Sequence, residues 1–81
     1  MDDTSLLVET IEFKVFSPGL EWKDTETFKK MVYEANTASD LINRAYRYAT
    51  WLANREGSLV RWNFQESPDK GYFAEPKRKQ Q

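Results

Sequence analysis

The stretch that decides the fold runs from residue 37 to residue 57 and reads TASDLINRAYRYATWLANREG. At about 100° per residue, its apolar side chains fall along one side of a helix, and these are Ala38, Leu41, Ile42, Ala45, Tyr48, Ala49 and Leu52. The pattern predicts an amphipathic helix from Ala38 to about Asn54. Alanines on the buried side would let this helix lie close to a sheet.

Both ends of this helix carry residues that helix termini favour. Thr37 can act as the N-cap, and Asp40, three residues later, completes a capping-box-like pair. An acidic side chain in the first turn also suits the positive end of the helix dipole. Gly57 stands where a left-handed residue closes a helix. The helix is therefore the best-defined element of the chain.

The segment before the helix begins with a predicted strand over residues 6–16. Its apolar side chains alternate with polar ones, the apolar set being Leu7, Ile11, Phe13 and Val15. Glu9 is the discordant position in this alternation. Ser17-Pro18-Gly19 then predicts a turn, because proline presets φ and glycine tolerates a positive φ.

Residues 25–35 fit two patterns. Phe28, Met31, Val32 and Ala35 have helical spacing, whereas alternate residues from Met31 to Ala35 and several strand formers indicate a strand. We favour the strand, paired antiparallel with the first through the Pro-Gly turn, because a strand that ends at a helix cap gives a compact connection.

Two further strands are predicted after the helix. Residues 59–65 alternate, with Val60, Trp62 and Phe64 on one side, and residues 72–74 can add a short edge strand after a turn at 68–71. The expected fold is α+β, in the order β-β-α-β with this optional fourth strand, and one helix packs on one face of a small antiparallel sheet. Residues 1–76 form the predicted single domain, and residues 77–81 a basic, disordered tail.

Composition narrows the function classes. The 81 residues contain no cysteine and no histidine, and their three glycines stand apart in separate turns. We therefore expect no thiolate or imidazole catalysis, no classical zinc site and no phosphate-binding glycine loop. The sequence predicts a non-enzymatic protein without cofactor or metal.

Charge and hydropathy bear on location and partners. The net charge is −1, and without the tail residues Lys77, Arg78 and Lys79 the body holds 9 basic against 13 acidic side chains. A body that binds nucleic acid is usually basic, so this one is a poor candidate. The apolar runs are far shorter than the roughly 20 residues of a membrane span. The acidic N-terminus and the absence of cysteine lead us to expect a cytoplasmic protein with no membrane contact.

One helix face predicts a binding surface. Trp51 lies about 120° from the centre of the buried side, and Arg44, Arg47 and Arg55 lie near it at helical spacing. Tryptophan and arginine are enriched at binding hot spots, which indicates a protein partner with acidic groups around an apolar pocket. The alternative is that an N-terminal or C-terminal segment covers Trp51 and the arginines only solvate the helix.

The pattern over residues 28–65 resembles small phage-encoded proteins that act on host machinery. It consists of the segment FKKMVYEANT at 28–37, a helix with Leu41 and Ala45, then Gly57 and the Val60-Arg61 strand. This layout is similar to the core of short inhibitors of host RNA polymerase, and some anti-CRISPR proteins share it. The resemblance implies a small rigid body that binds a larger host protein or complex and blocks it.

Three functional hypotheses follow. The first is a protein-binding modulator that acts through Arg44, Arg47, Trp51 and Arg55. The second is a nucleic-acid- or ribosome-associated accessory protein whose tail, Lys77, Arg78 and Lys79, supplies salt-sensitive attraction. The third is a self-associating structural subunit built on an exposed sheet edge, so that the chain is a monomer or a homodimer.

Overall fold

The computed structural model describes residues 6–77 of the chain. Its elements in chain order are strand β1 (Leu7–Val15), a 3-10 turn (Trp22–Asp24), strand β2 (Lys29–Ala35), helix α1 (Ala38–Glu56), strand β3 (Val60–Phe64) and strand β4 (Tyr72–Ala74). The predicted α+β fold is confirmed, including the short fourth strand. Most of the predicted tail lies outside the described residues.

The four strands form one antiparallel sheet in the order β2-β1-β3-β4. β1 is central and pairs with β2 from Leu7 opposite Ala35 to Phe13 opposite Lys29. On its other side, Ile11 of β1 lies opposite Phe64 of β3. Since side chains alternate along a strand, odd-numbered β1 and β2 residues share one face with Val60, Trp62 and Phe64. Helix α1 covers this face.

Residues 25–35 contain two parts with different structures. Lys29–Ala35 form a strand, as predicted, but the expected strand over 25–28 is absent because the connection from β1 is longer than a tight turn. The predicted turn is present, with Gly19 at φ 86° and the Leu20 N–H donating to Ser17 O at 3.2 Å. A 3-10 turn follows it, and the chain rejoins β1 where the Phe28 N–H donates to Phe13 O at 2.8 Å.

The Thr37 N-cap and the left-handed residue at Gly57 are confirmed, whereas the described residues show no hydrogen bond from the Thr37 N–H to the Asp40 carboxylate that would complete a capping box. The Asp40 N–H donates to Thr37 Oγ1 at 3.1 Å, which satisfies a first-turn amide. At the other end, Gly57 adopts a left-handed conformation with φ 66°, and its N–H donates to Ala53 O at 2.7 Å. The helix continues to Glu56, two residues beyond the predicted end at Asn54.

The core lies between α1 and the sheet. Its fully buried side chains come from both layers and include Ile11, Phe13, Leu41, Ala45, Ala49, Leu52, Val60 and Trp62. The Trp62 ring stacks on Tyr72 with centroids 4.4 Å apart. One prediction was wrong: Ala38 is exposed, because it begins the helix directly after the chain leaves the edge strand, and Ala53 is buried instead.

Candidate protein-interaction surface

Trp51 lies on the outer side of α1 with half of its surface free. Its side chain is 50% exposed, whereas the next residue, Leu52, is 0% exposed. The 100° step between neighbouring helical residues places one side chain against the sheet and the other at the surface. Within residues 6–77, no terminal segment buries Trp51, so the alternative that such a segment covers this ring does not hold there.

Two neighbours fix the position of the indole. The Arg55 Cζ atom lies 5.4 Å from the centroid of the Trp51 ring, which is a cation–π distance. On the other side, the Tyr48 ring centroid lies 5.5 Å from that of Trp51, and Tyr48 in turn packs edge-on against Phe13 at 4.8 Å. The exposed indole is thereby connected to the core through one aromatic contact.

Trp51 also borders a shallow groove along the outer side of the helix. The groove is lined by Tyr46, Arg47, Thr50, Trp51, Asn54 and Lys77. Two of these side chains are basic and none is acidic. The Lys77 N–H donates to Asn54 Oδ1 at 2.6 Å, so the segment after β4 forms one wall of the groove. An indole, a phenol and two cations therefore meet at one site.

The structure separates Arg44 from this groove. Arg44 lines a second depression on the side of the β2 edge, together with Tyr33, Glu34 and Asp40. Burial raises the pKa of Tyr33, the nearby Tyr48 adds to the rise, and the positive charge of Arg44 opposes it. Of the four predicted residues, Arg47, Trp51 and Arg55 therefore lie together, and Arg44 lies toward the sheet edge.

The predicted electrostatic tail is only partly described. Lys77 borders the groove, as given above. Arg78 and Lys79 lie outside the described residues.

Sequence reasoning missed a second exposed apolar region, which lies on the sheet face that the helix does not cover. Trp22 packs against Phe16 and Phe73, with ring centroids 6.0 Å apart in each pair. Phe16 and Phe73 are about half exposed, as are Leu20 and Phe28 nearby. The sequence signal for this region was the position of Phe16 and Phe73. Each of them is next to a residue of β1 or β4 that faces the helix, so its own side chain faces the other side of the sheet.

The uncovered sheet face carries a polar network beside this aromatic region. Asn63 is 2% exposed, and its Oδ1 accepts from Arg61 Nη1 at 3.0 Å. Its Nδ2 donates to Phe64 O at 2.9 Å, and Arg61 Nη2 donates to Pro68 O at 3.0 Å. Because the buried Asn63 side chain has hydrogen-bond partners within the chain, we interpret this network as structural.

Within residues 6–77, no group of three or more acidic side chains is placed to hold a metal ion. In the same part of the chain, no helix combines the length and apolar character needed to cross a membrane. Comparison with known proteins gives no matching family model, no matching curated protein and no matching solved structure.

Proposed function

We propose that this protein is a non-enzymatic, protein-binding modulator whose contact surface is the groove beside Trp51. The observation that carries the proposal is the half-exposed indole held between Arg55 and Tyr48, next to a groove with two basic side chains and no acidic one. An apolar ring kept at the surface, with cations around it, is typical of an anchor at a protein interface.

The chemistry of the groove selects the class of partner. Arg47 and Lys77 attract carboxylates, and arginine can bind one with two parallel hydrogen bonds. Trp51 and Tyr46 supply apolar area with a polar edge, which suits a site that is only partly dry. We propose a partner with an apolar pocket for the indole and acidic groups around its rim.

The proposed action is to occupy and block a surface of a larger host protein or complex. The resemblance of residues 28–65 to small phage-encoded inhibitors supports it. A rigid body presents its groove with little loss of conformational entropy, because the indole is already fixed on both sides.

Affinity capture with variants tests the proposal. The tagged chain is incubated with host lysate, and captured proteins are identified by mass spectrometry for wild type and for the double variant Trp51→Ala/Arg47→Glu. We expect specific partners to be lost from the double variant. Removing a hot-spot tryptophan commonly weakens binding by more than 2 kcal/mol, or about thirtyfold.

A matched control uses the other end of the molecule. Leu20→Ala/Lys23→Ala removes one exposed apolar and one exposed basic side chain away from the groove, and it should retain the partners. Both variants are checked by circular dichroism. Equal capture by all three proteins would contradict the assignment of the surface. Loss of the captured proteins after nuclease treatment would favour the nucleic-acid hypothesis instead.

A further inference from the structure

The two edges of the sheet differ in length and chemistry. Among residues 6–77, β4 has 3 residues, whereas β2 has 7 and pairs only with β1. An edge strand of this length presents unpaired backbone groups that can accept another strand. Val32 lies at its centre and is 65% exposed. This edge is distinct from the groove beside Trp51.

The hydrogen-bond pattern of β1 identifies the free groups of β2. The Gln65 N–H donates to Thr10 O, and the Phe16 N–H donates to Leu59 O, both at 2.8 Å. Even-numbered residues of β1 therefore bond toward β3, and odd-numbered ones toward β2. The registered partners of the odd residues are the odd residues of β2. The backbone groups of Lys30, Val32 and Glu34 consequently point to the free edge.

We propose that this edge pairs with the same edge of a second copy of the chain, antiparallel, around a two-fold axis at Val32. In this register Val32 lies opposite Val32 of the second copy, and Met31 lies opposite Tyr33. Lys30 lies opposite Glu34, and the symmetry repeats that ion pair on the other side. All three outward residues are then hydrogen-bonded, and the two sheets become one continuous sheet with both helices on the same face.

Other registers lose these pairings. A shift of two residues places Lys30 opposite Val32, or Val32 opposite Glu34, and leaves one outward residue unpaired. A shift of four toward the N-terminus places Lys30 opposite Lys30, and like charges directly opposite each other are destabilising. Shifts by one residue would join side chains from opposite faces of the sheet. Only the axis at Val32 combines complementary charges with a full set of hydrogen bonds.

The surroundings of Lys30 fit this arrangement. Its ammonium lies 3.9 Å from a carboxylate oxygen of Glu12 in the same chain. In the dimer, Glu34 of the second copy would approach the same ammonium from the free edge, on the same sheet face as Glu12 and Val32. A lysine that discourages foreign strands would thus be neutralised by this one partner.

The expected dimer is weak. About six backbone hydrogen bonds and two ion pairs join the strands, and the contact is smaller than the roughly 1,200 Å² of a stable interface. We therefore expect a dissociation constant in the micromolar range or above. The dimer does not depend on the proposed partner binding, so failure of either proposal leaves the other standing.

A charge-swap experiment tests the register. Sedimentation velocity of the full chain from about 5 to 500 μM should show wild type shifting from monomer to dimer. Lys30→Glu and Glu34→Lys each place like charges opposite each other twice, which should weaken the dimer by about tenfold or more. Mixing the two variants should restore a heterodimer, because every pair is then complementary. The double variant Lys30→Glu/Glu34→Lys should dimerise again on its own.

Each variant is checked by circular dichroism and thermal unfolding, because Lys30→Glu also places a second carboxylate beside Glu12. If that variant unfolds, Glu34→Lys and Val32→Lys give the test, since both should dimerise at least about tenfold more weakly than wild type. Glu66→Lys, a charge reversal in the turn after β3, should leave the dimer unchanged. A wild-type chain that stays monomeric at 500 μM would overturn the proposal. Dimerisation that the edge variants do not change would also overturn it.

Discussion

Trp51 and Leu52 are neighbours in the chain and lie in opposite environments. Leu52 has no exposed surface and contacts the core, whereas half of Trp51 is open to solvent. The same division runs along the whole helix, with Ala45 and Ala49 on the inner side and Arg47 on the outer side. The inner side stabilises the fold by burial, and the outer side can change with little effect on folding.

This division separates side chains that the fold buries from side chains that it leaves exposed. The outer side tolerates substitution, and Trp51 lies there with half of its surface exposed, which is why we propose it for partner binding. The inner side has no such freedom, because its alanines set the distance between the helix and the sheet. Substitutions on the inner side should therefore lower the free energy of unfolding by more than substitutions on the outer side.

Leu52→Ala should have the largest effect. It removes a fully buried side chain and leaves a cavity above the sheet, so the free energy of unfolding should fall by about 2–5 kcal/mol. Urea denaturation followed by circular dichroism measures this loss. Arg47→Ala, on the outer side of the same helix, is the control and should change the value by less than about 0.5 kcal/mol. Equal effects would remove the distinction between the two sides.

Ala49→Leu should have the next effect. Ala49 is fully buried in the core, so three added carbon atoms would push the helix from the sheet at a cost of about 1–3 kcal/mol. Ala38→Leu adds the same three carbon atoms at an exposed position of the same helix and should cost less. Thermal unfolding of the two variants under the same conditions compares them. A stable Ala49→Leu protein would show that the helix is not closely packed.

Tyr33 allows a pH test of the comparison between buried and exposed positions. Burial raises the pKa of Tyr33 above its ordinary value of 10.0, whereas Tyr46 is about half exposed. A raised pKa in the folded state means that folding favours the protonated phenol. The contribution of the Tyr33 phenol to stability is therefore complete below pH 10. It is lost as the pH rises above 10 and through the raised pKa of the folded state.

Denaturation at a series of pH values from 8 to 11 measures this effect. Tyr33→Phe should reduce the loss of stability on the alkaline side relative to wild type. A Tyr33→Phe profile identical to wild type would contradict a role for this phenol.

The helix, its caps and the four strands could be predicted because each depends on local spacing. The Thr37 cap and the Gly57 terminus are local chemistry, and the alternation around Ile11 and Phe13 identifies the buried face directly. The start of β2 was misplaced because it depends on the Phe28 contact with β1, which no local pattern encodes.

The site was only partly predictable for the same reason. Helical spacing placed Trp51 off the buried side, but its exposure depends on where the terminal segments run. The contribution of Lys77 to the groove arises from its hydrogen bond to Asn54, 23 positions earlier in the chain. Arg44 was grouped with the others because spacing along a helix does not show which residues lie over the sheet edge. Tertiary contacts decide all three.

The most direct test is the free energy of unfolding of Trp51→Ala, measured beside Leu52→Ala by urea denaturation. We predict a loss of about 1–2.5 kcal/mol for Trp51→Ala, because it removes one aromatic contact and one cation–π contact at a half-exposed position. A loss of 3 kcal/mol or more, in the range of a buried tryptophan, would show that the indole belongs to the core and would contradict its assignment to a binding surface.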